Sequence, residues 1–587
     1  MANEEKYVYQ FSTKAGIQRD GTNFDANYFN DGQHVRFQRG RPKKMGGYKA
    51  IVQTLVGPIR AVYVWGKQSF NSIFTFSSSN VQVTNVDQNG VGAVVTDRTP
   101  VTRILTTTAI TEVVGPVAVN YLVTGTTSLA TGIVANVSGT APTLTLTLCY
   151  VTGTFGAAEA LTFTAAGTTI ATGTSGTYTV TTMATNTTSL WQVDSMYDAA
   201  ANSNKTIIIA HRANNLVNID DATNTPVYIG DITTNTPLEA IGQTVSGGVV
   251  ATAPYLILYG ADGNVKWSNA NEPLNFYTGD AGTARITGAK IVKGLPIRGQ
   301  GQAPAALFWS LDSVIRMYWV GGNAIFKFDT LSAQSSMLAS NSVIEYDGVF
   351  FWIGIDRFMM FDGSVKELPN EMNQNFFFDN LNYDQKQKIW AMKVSRFGEV
   401  WWFYPSGEAT ECNHAVIYNT RSQTWYDTAL DRSAGYYSQV FRYPVMTSTE
   451  PEDSGTYTLW IHETGYDKIA GNFQEAIPSY FETSDFGLPT GGPTGEALQG
   501  VNRWTRLTRI EPDFIVEGDM QVTVNGYEFA QGTYTTSNPY TFNANTDKID
   551  MREQRREIRL RFESNVQGGH YEMGKVLLHL EAGDVRS

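Results

Sequence analysis

Residues 345–370 limit the possible folds of this chain more than any other stretch; they read EYDGVFFWIGIDRFMMFDGSVKELPN. Two runs of aromatic and β-branched residues are bounded by the pairs Asp347-Gly348 and Asp362-Gly363. Glycine accepts the positive φ that tight hairpins need, so both pairs predict turns between strands. In the first run both alternating sets are apolar: Phe351, Ile353 and Ile355, and Phe350, Trp352 and Gly354. A strand apolar on both faces is expected between two neighbouring layers.

The same unit recurs in degenerate form along the chain. Further copies lie at residues 255–276, 307–328 and 399–425, and another begins at 457–469. A spacing of roughly 40 to 50 residues is typical of propeller blades. The repeat therefore predicts a β-propeller. The alternative is an ordinary β-sandwich that contains several aromatic hairpins.

Composition supports an all-β chain with many turns. The 587 residues include 54 glycines and 12% aromatic residues, and only 17% are charged. The best helical candidate, Met372–Met392, is a weak one. The net charge of −12 argues against extensive binding to nucleic-acid phosphates.

The sequence also suggests where the protein is made. Cys149 and Cys412 lie far apart, which favours two unpaired thiols in a reducing cytoplasm over a disulfide. The chain has no apolar run of about 18 residues, so no membrane span is expected. Its first residues, MANEEKYVYQF, lack the basic and apolar regions of a signal peptide.

Shifts in composition divide the chain into four parts. Residues 1–50 are predicted to form an N-terminal anchor segment, and 51–99 with 191–472 the propeller. Residues 100–190 are rich in Thr and Gly, and Leu144, Leu146 and Leu148 alternate there with threonines. This pattern predicts a small β-barrel or sandwich inserted into a blade loop, where long insertions are tolerated. Residues 473–587 are predicted to form a C-terminal β-sandwich. Its basic strand, Arg552–Arg561, would place Arg555, Arg559 and Arg561 on one face and Arg556 on the other.

A basic cluster follows the first turns of the chain: Arg36, Arg39, Arg41, Lys43 and Lys44. Such a cluster can contact nucleic acid or an acidic partner. It can equally pair with Asp20, Asp25 and Asp31 nearby. Apolar residues are interleaved with it (Val35, Phe37, Met45 and Tyr48), which predicts an ordered anchor with Arg36 buried or in an interface.

Residues 31–48, DGQHVRFQRGRPKKMGGY, resemble the opening of tail nozzle proteins of short-tailed bacteriophages, also described as packaged-DNA stabilisation or tail tubular proteins. Further phrases follow in the same order: Trp267-Ser268 to Glu272-Pro273 and Phe276, Phe361-Asp362-Gly363, Tyr418-Asn419 to Trp425, His462-Glu463-x-Gly465, Glu482-Thr483-x-Asp485-Phe486, Arg509 to Asp513, and Arg561 to Asn565. Glu272 stands where the family has Asp. The resemblance covers all but about residues 100–190.

The resemblance implies a structural subunit without enzymatic activity. Such subunits form a sixfold ring below the portal and its adaptor, extend the DNA channel, retain the packaged genome and open for ejection. The implied partners are further copies of the chain, the adaptor or connector ring, tail fibres or spikes, and double-stranded DNA that passes without sequence-specific binding. The implied location is the virion, after assembly in the host cytoplasm. An acidic duct wall would repel DNA phosphate. The structural or interface candidates are Arg36, Phe37, Arg41, Lys44, Trp267, Arg509 and Arg561.

Catalytic patterns are scarce, and the sequence predicts no cofactor, metal or catalytic site. His462-Glu463 lacks the second histidine of a zinc HExxH motif, and no phosphate-binding loop or nucleophile elbow occurs. Asp347, Asp356 and Asp362 cluster in sequence and could suggest glycoside hydrolysis. Their other interpretation is as turn residues that cap hairpins. The alternative function is therefore a carbohydrate-binding or carbohydrate-cleaving propeller, as in a receptor-binding spike.

Overall fold

The computed structural model describes residues 6–585 except 12, 22–27, 67–70, 88–92, 100, 119–120, 183–184, 188–189, 200–204, 213–214, 221–225, 232–246, 274, 277–278, 299–302, 438–440, 442, 452–454, 489–502 and 529–531. Within these residues the chain is almost entirely β. The helix predicted over Met372–Met392 is limited to α1 (Gln374–Asn380). A 3-10 turn at Tyr383–Lys388 follows it, and a strand begins at Trp390. Asparagines at 373, 375, 380 and 382 explain the short helix, because Asn competes with helical backbone bonds.

Six consecutive four-stranded antiparallel sheets follow one another in the described chain, and we call them blades 1 to 6. The strands of blades 1 to 3 are β8 (Ile59–Gly66), β9 (Asn71–Ser77), β10 (Val81–Val86), β11 (Val94–Asp97); β18 (Gln192–Asp198), β19 (Lys205–Arg212), β20 (Asn215–Asp220), β21 (Pro226–Asp231); and β22 (Gly248–Thr252), β23 (Tyr255–Tyr259), β24 (Asn264–Trp267), β25 (Gly282–Arg285). Those of blades 4 to 6 are β26 (Ile291–Pro296), β27 (Ala305–Ser310), β28 (Val314–Trp319), β29 (Phe326–Ser332); β30 (Ile344–Tyr346), β31 (Val349–Ile353), β32 (Phe358–Phe361), β33 (Val365–Glu367); and β34 (Trp390–Val394), β35 (Glu399–Tyr404), β36 (His414–Asn419), β37 (Thr424–Ala429).

The fourth strand of blade 7 comes from the other end of the chain. Its strands are β38 (Ala434–Tyr436), β39 (Val445–Thr447), β40 (Tyr457–His462) and then β7 (Tyr48–Leu55). Strand β7 runs antiparallel to β40, with Ala50 opposite Trp460. Strands β41 (Asp467–Ala470) and β42 (Phe473–Ala476) extend the sheet beyond β7. Residues 457–469 therefore complete a blade instead of starting another, and the boundary expected at residue 50 lies inside β7.

The seven blades close into a ring, so the fold is a β-propeller. The first strands of successive blades contact one another from blade 1 to blade 4 and from blade 5 to blade 7, and β38 of blade 7 contacts β8 of blade 1. Blades 4 and 5 meet where the Trp309 ring packs against those of Phe350 and Trp352. The N-terminal strand β7 thus holds the last blade in the ring.

The packing of blade 5 agrees with its two-faced apolar pattern. Phe350 and Trp352 pack against Trp309 of blade 4. Phe351 packs against Tyr418 of blade 6, and Ile353 belongs to the same apolar cluster. The turn at Asp347-Gly348 has positive φ at both residues. The predicted alternation runs two residues too far, because β31 ends at Ile353 and Ile355 is exposed.

A closed six-stranded barrel is inserted between blades 1 and 2. In chain order its strands are β12 (Val101–Glu112), β13 (Leu122–Gly125), β14 (Thr131–Thr140), β15 (Thr143–Thr152), β16 (Ala160–Ala165) and β17 (Thr168–Thr182). The alternating leucines of β15 point into its apolar core. The barrel's first and last strands pair where it joins the propeller, with Val101 opposite Thr182.

Replacing residues 100–185 by a short linker is expected to leave the propeller folded. The barrel has its own core, and its two ends lie side by side, so a short loop can replace it. The deletion product should remain soluble and melt cooperatively in circular dichroism. An insoluble product, or one that melts without cooperativity, would mean that the barrel is part of the propeller core.

The C-terminal region is a β-sandwich that includes strands from the N-terminus. One sheet contains β1 (Lys6–Phe11), β5 (Val35–Gln38), β6 (Arg41–Lys44), β44 (Arg503–Glu517), β48 (Ile549–Arg555) and β50 (His570–Val585). The other contains β4 (Asp31–Gln33), β43 (Ser479–Glu482), β45 (Met520–Tyr527), β46 (Tyr534–Thr536), β47 (Tyr540–Phe542) and β49 (Glu557–Ser564). A short parallel pair, β2 (Lys14–Ile17) and β3 (Tyr28–Phe29), completes the N-terminal segment. One apolar core is continuous from the sandwich to blade 6.

The prediction of one basic strand over Arg552–Arg561 is wrong. The chain leaves the first sheet at Arg555 and enters the second at Glu557, with a bend at Arg556. Arg555 therefore lies in a different sheet from Arg559 and Arg561. Alternation in the sequence could not reveal the bend, because both halves share the same polar pattern. Cys412 is a free, buried thiol, and the side chain of Cys149 lies outside the described set.

Candidate functional site

The best-defined polar site lies where the N-terminal segment crosses blade 6 and meets blade 7. Gln33 and Ala429 exchange hydrogen bonds at the far end of β37. The His34 amide donates to Thr428 Oγ1. Strand β5 then runs along blade 6 until Arg36 reaches Glu399, the first residue of β35. We call this region the junction.

Arg36 forms two forked ion pairs in the junction. Its Nε and Nη2 donate to the two carboxylate oxygens of Glu399 at 3.0 and 3.3 Å. Its Nη1 and Nη2 donate to those of Glu463 at 2.7 and 2.6 Å. Arg36 is 2% exposed and Glu399 0%. Such forks match the planar geometry of guanidinium and carboxylate, and this arrangement fixes one residue each from three parts of the chain.

Other donors complete the shells of the two carboxylates. Glu399 also accepts from Tyr426 Oη at 2.7 Å and from Trp401 Nε1 at 2.8 Å. Glu463 accepts from the Gly46 amide at 3.2 Å. The Phe397 ring centroid lies 3.6 Å from the guanidinium carbon of Arg36. Hydrogen-bond donors from the protein itself therefore occupy both carboxylates, which indicates a structural role. We call Arg36, Glu399 and Glu463 the clasp.

Burial and charge oppose each other in setting the pKa values here. Burial raises the pKa of Glu399, although Arg36 opposes it. Burial also acts to raise the pKa of Glu463, but the charge and hydrogen bonds of Arg36 outweigh it and lower that pKa. The pKa of Arg36 is raised: burial would lower it, but the two glutamates prevail. The Arg36–Glu463 pair therefore stays ionised at neutral pH.

Two buried histidines flank the clasp. His34 Nε2 lies 3.1 Å from the Gly46 carbonyl oxygen, and Arg432 Nε donates to His462 Nε2 at 2.9 Å. Burial lowers the pKa of His34 to about 4 and that of His462 well below its ordinary value. Both imidazoles are therefore neutral in the folded protein at neutral pH.

Acidification from about pH 6.5 towards 4 is expected to destabilise the protein. In that window an unfolded histidine binds a proton and folded His34 does not. The free energy of unfolding therefore decreases as the pH decreases. The expected slope is about 1.4 kcal/mol per pH unit for each such histidine. Denaturant titrations at several pH values should show it, and His34→Gln should flatten it. An unchanged slope in that variant would contradict the assignment to His34.

The structure places only three of the seven sequence candidates at the junction: Arg36, Phe37 and Lys44. The Phe37 ring contacts those of Phe29 and Tyr426 at 5.3 and 5.5 Å. Lys44 Nζ is buried and donates to the Gly569 carbonyl at 2.8 Å. Burial lowers the pKa of Lys44 to about 8.

The other four candidates lie elsewhere. Arg41 is exposed at the tip of the β5–β6 hairpin. Trp267 lies in blade 3, where its Nε1 donates to the Asp280 carbonyl at 2.7 Å. Arg509 pairs with Asp550 in the first sandwich sheet. Arg561 lies in the second, 3.5 Å from the centroid of the Tyr480 ring.

The predicted pairing of the basic cluster with Asp20 and Asp31 is wrong. Asp31 pairs with Arg19, and the Asp20 carboxylate accepts from the backbone amides of Asn375 and Phe376 at the start of α1. Asp25 lies outside the described residues. Nearness in sequence failed as a guide because β5 turns Arg36 towards blade 6, away from its own turns.

A second buried ion cluster links β49 to β43 and the residues that follow it in the second sandwich sheet. Arg559 donates to both carboxylate oxygens of Asp485 at 2.9 and 3.0 Å and to Glu482 at 2.8 Å. Both acids belong to the Glu482-Thr483-x-Asp485 phrase. Neither this pairing nor Glu399 as the partner of Arg36 could be predicted from a sequence pattern. Both require knowledge of which strands meet.

Among the described residues, no group of three or more His, Cys, Asp or Glu side chains is arranged to hold a metal ion. That part of the chain also contains no helix with the length and apolarity needed to cross a bilayer.

Comparisons with known proteins return weak structural likenesses. No family model and no curated protein matches the sequence. BBS1N in complex with ARL6DN is 8% identical and aligns over 61% of this chain and 96% of that chain, with a TM-score of 0.30. An ancestral GH74 enzyme is 10% identical over 69% of this chain and 56% of its own, at 0.31. A putative exported protein from Bacteroides fragilis NCTC 9343 is 11% identical over 46% and 94%, at 0.23. Likenesses this distant carry no argument about what the chain binds.

Proposed function

We propose that this chain is a structural subunit of a phage tail nozzle, a ring that continues the DNA channel, retains the packaged genome and opens for ejection. One observation carries the proposal. Two phrases of the family resemblance that lie 427 residues apart meet in a buried ion pair. Arg36 of the opening phrase pairs with Glu463 of the His462-Glu463-x-Gly465 phrase. Glu482 and Asp485 likewise hold Arg559, two residues before the Arg561 to Asn565 phrase.

These contacts suit a part that bears mechanical load. Forked, buried ion pairs of Arg36 fix β5, a strand of the sandwich, to blade 6 and to the residue that follows β40 of blade 7. A protein that retains DNA under pressure needs such cross-links between its domains. The net charge of −12 also suits a wall along which duplex DNA slides without adhering.

Particles that lack this chain distinguish the nozzle from a receptor-binding spike. Phage grown without the protein should package DNA but lose it, so that the genome becomes sensitive to nuclease. The matched control supplies the wild-type chain from a plasmid in the host and should restore retention. Particles that keep their DNA but fail to adsorb would contradict the nozzle and favour the spike.

The purified protein is expected to show no glycosidase activity. The three clustered aspartates have local structural roles: Asp356 pairs with Arg357, Asp362 with Lys366, and Asp347 forms a hairpin turn. Incubation with capsular polysaccharide or lipopolysaccharide should release no sugar. Release that Asp362→Asn abolishes would overturn this expectation.

A further inference from the structure

Blade 6 carries opposite charges at its two ends. The turns 395–398 and 420–423 lie together at one end, where Arg421 Nη1 donates to the Arg396 carbonyl at 3.1 Å. The loop 405–413 lies at the other end, where the Leu430 amide donates to the Asn413 carbonyl at 3.0 Å. Strand β35 joins the ends with six residues, about 20 Å at the usual rise per residue.

The first end, which we call the basic end, presents four exposed arginines. Arg396 and Arg421 come from the two turns. The guanidiniums of Arg36 and Arg396 lie over the same Phe397 ring, so β5 passes this end and its tip projects beyond it. That tip carries exposed Arg39 and Arg41 on a turn with positive φ at Arg39 and Gly40. Among the described residues, no carboxylate lies within ion-pair distance of these four arginines.

The second end, the acidic end, presents four exposed carboxylates. They are Asp379, Asp384, Glu408 and Asp431. Helix α1 joins this end because the Gly407 amide donates to the Asn380 carbonyl at 2.7 Å. Within the described part of the chain none of the four carboxylates forms an ion pair. One exposed cation, Lys386, lies among them.

We propose that copies of this chain associate head to tail, with the basic end of blade 6 in one copy against the acidic end in the next. Complementary charge argues for this partner, because one molecule carries both halves of the contact about 20 Å apart. A contact between unlike surfaces generates either a closed ring or a filament. This inference deepens the proposed function and rests on it for the expectation that the ring closes.

DNA is the weaker candidate for the basic end. Four arginines make a small site, and the chain's net charge of −12 opposes a polyanion that approaches from a distance. Because of the same net charge, the surface of another copy is mainly acidic. The basic end is complementary to such a surface.

A charge-swap experiment on the full-length protein tests the contact. Arg39→Glu/Arg41→Glu and Asp379→Lys/Glu408→Lys should each weaken self-association by about tenfold or more in sedimentation velocity at low salt. Mixing the two variants should restore association with the variants in alternation, because the two altered ends attract one another and the two unaltered ends still fit. The matched control for the basic-end variant, Lys290→Glu/Lys327→Glu, makes the same change in net charge at blade 4 and should associate like the wild type.

The outcomes separate this inference from the proposed function. Wild-type protein that stays monomeric at all concentrations and salt levels, or variants that associate like the control, would overturn the head-to-tail contact. So would a tip variant that associates normally but loses salt-dependent binding to a DNA duplex. The retention of DNA by particles is read independently and decides the nozzle itself.

Discussion

Replacing Arg36 by alanine is expected to lower the free energy of unfolding by about 3 to 5 kcal/mol. The substitution leaves the buried carboxylates of Glu399 and Glu463 without their shared cation. An uncompensated buried charge costs far more than a lost surface contact, and protonation of Glu399 recovers only part of that cost. Thermal and denaturant unfolding measure the change, and ring assembly should fail in parallel.

Arg39→Ala is the matched control for stability, since it removes an exposed arginine of the same hairpin. Its stability should stay within about 0.5 kcal/mol of the wild type. Affinity for free DNA should change little in Arg36→Ala. A variant that folds and assembles normally but loses salt-dependent DNA binding would show that the segment is a DNA-binding arm instead.

Replacing residues 48–55 by a glycine–serine linker of equal length is expected to abolish the cooperative melt. The change removes strand β7 and keeps Arg36 with everything before it. Blade 7 would then expose the edge of β40, and Leu55 would be missing from the core it shares with Val445 and Leu459. The free energy of unfolding of a domain is only about 5 to 15 kcal/mol, and the loss of a whole closing strand is expected to cost more than that.

The same replacement in β11 (Val94–Asp97), the outer strand of blade 1, is the control. That strand lies at a sheet edge and closes no ring, so the variant should still melt cooperatively. Differential scanning calorimetry compares the two. A cooperative melt near the wild-type temperature without β7 would show that the ring does not depend on its N-terminal strand.

Much of the propeller could be predicted because each blade is local in sequence. Residues 345–370 contain their own turns and both apolar faces, and the repeat spacing reports the architecture. The inserted β domain could be predicted equally well, because the composition of the chain changes abruptly there and β15 alternates leucine with threonine. These features depend on contacts between neighbouring segments, which a sequence pattern records directly.

The closure of blade 7 and the clasp partners could not be predicted in the same way. Strand β7 pairs with β40 about 400 residues later, and Arg36 meets Glu399 and Glu463 after comparable separations. No periodicity links such segments. The burial of Arg36 was nevertheless expected from its apolar neighbours, although its predicted aspartate partners were wrong.

An averaged electron cryo-microscopy image of the intact particle would decide whether this chain forms the nozzle. A nozzle requires about six copies of the propeller and its sandwich in a ring below the portal and adaptor, around a channel that holds the end of the DNA. Density for the propeller in a peripheral trimer, away from the DNA axis, would contradict it.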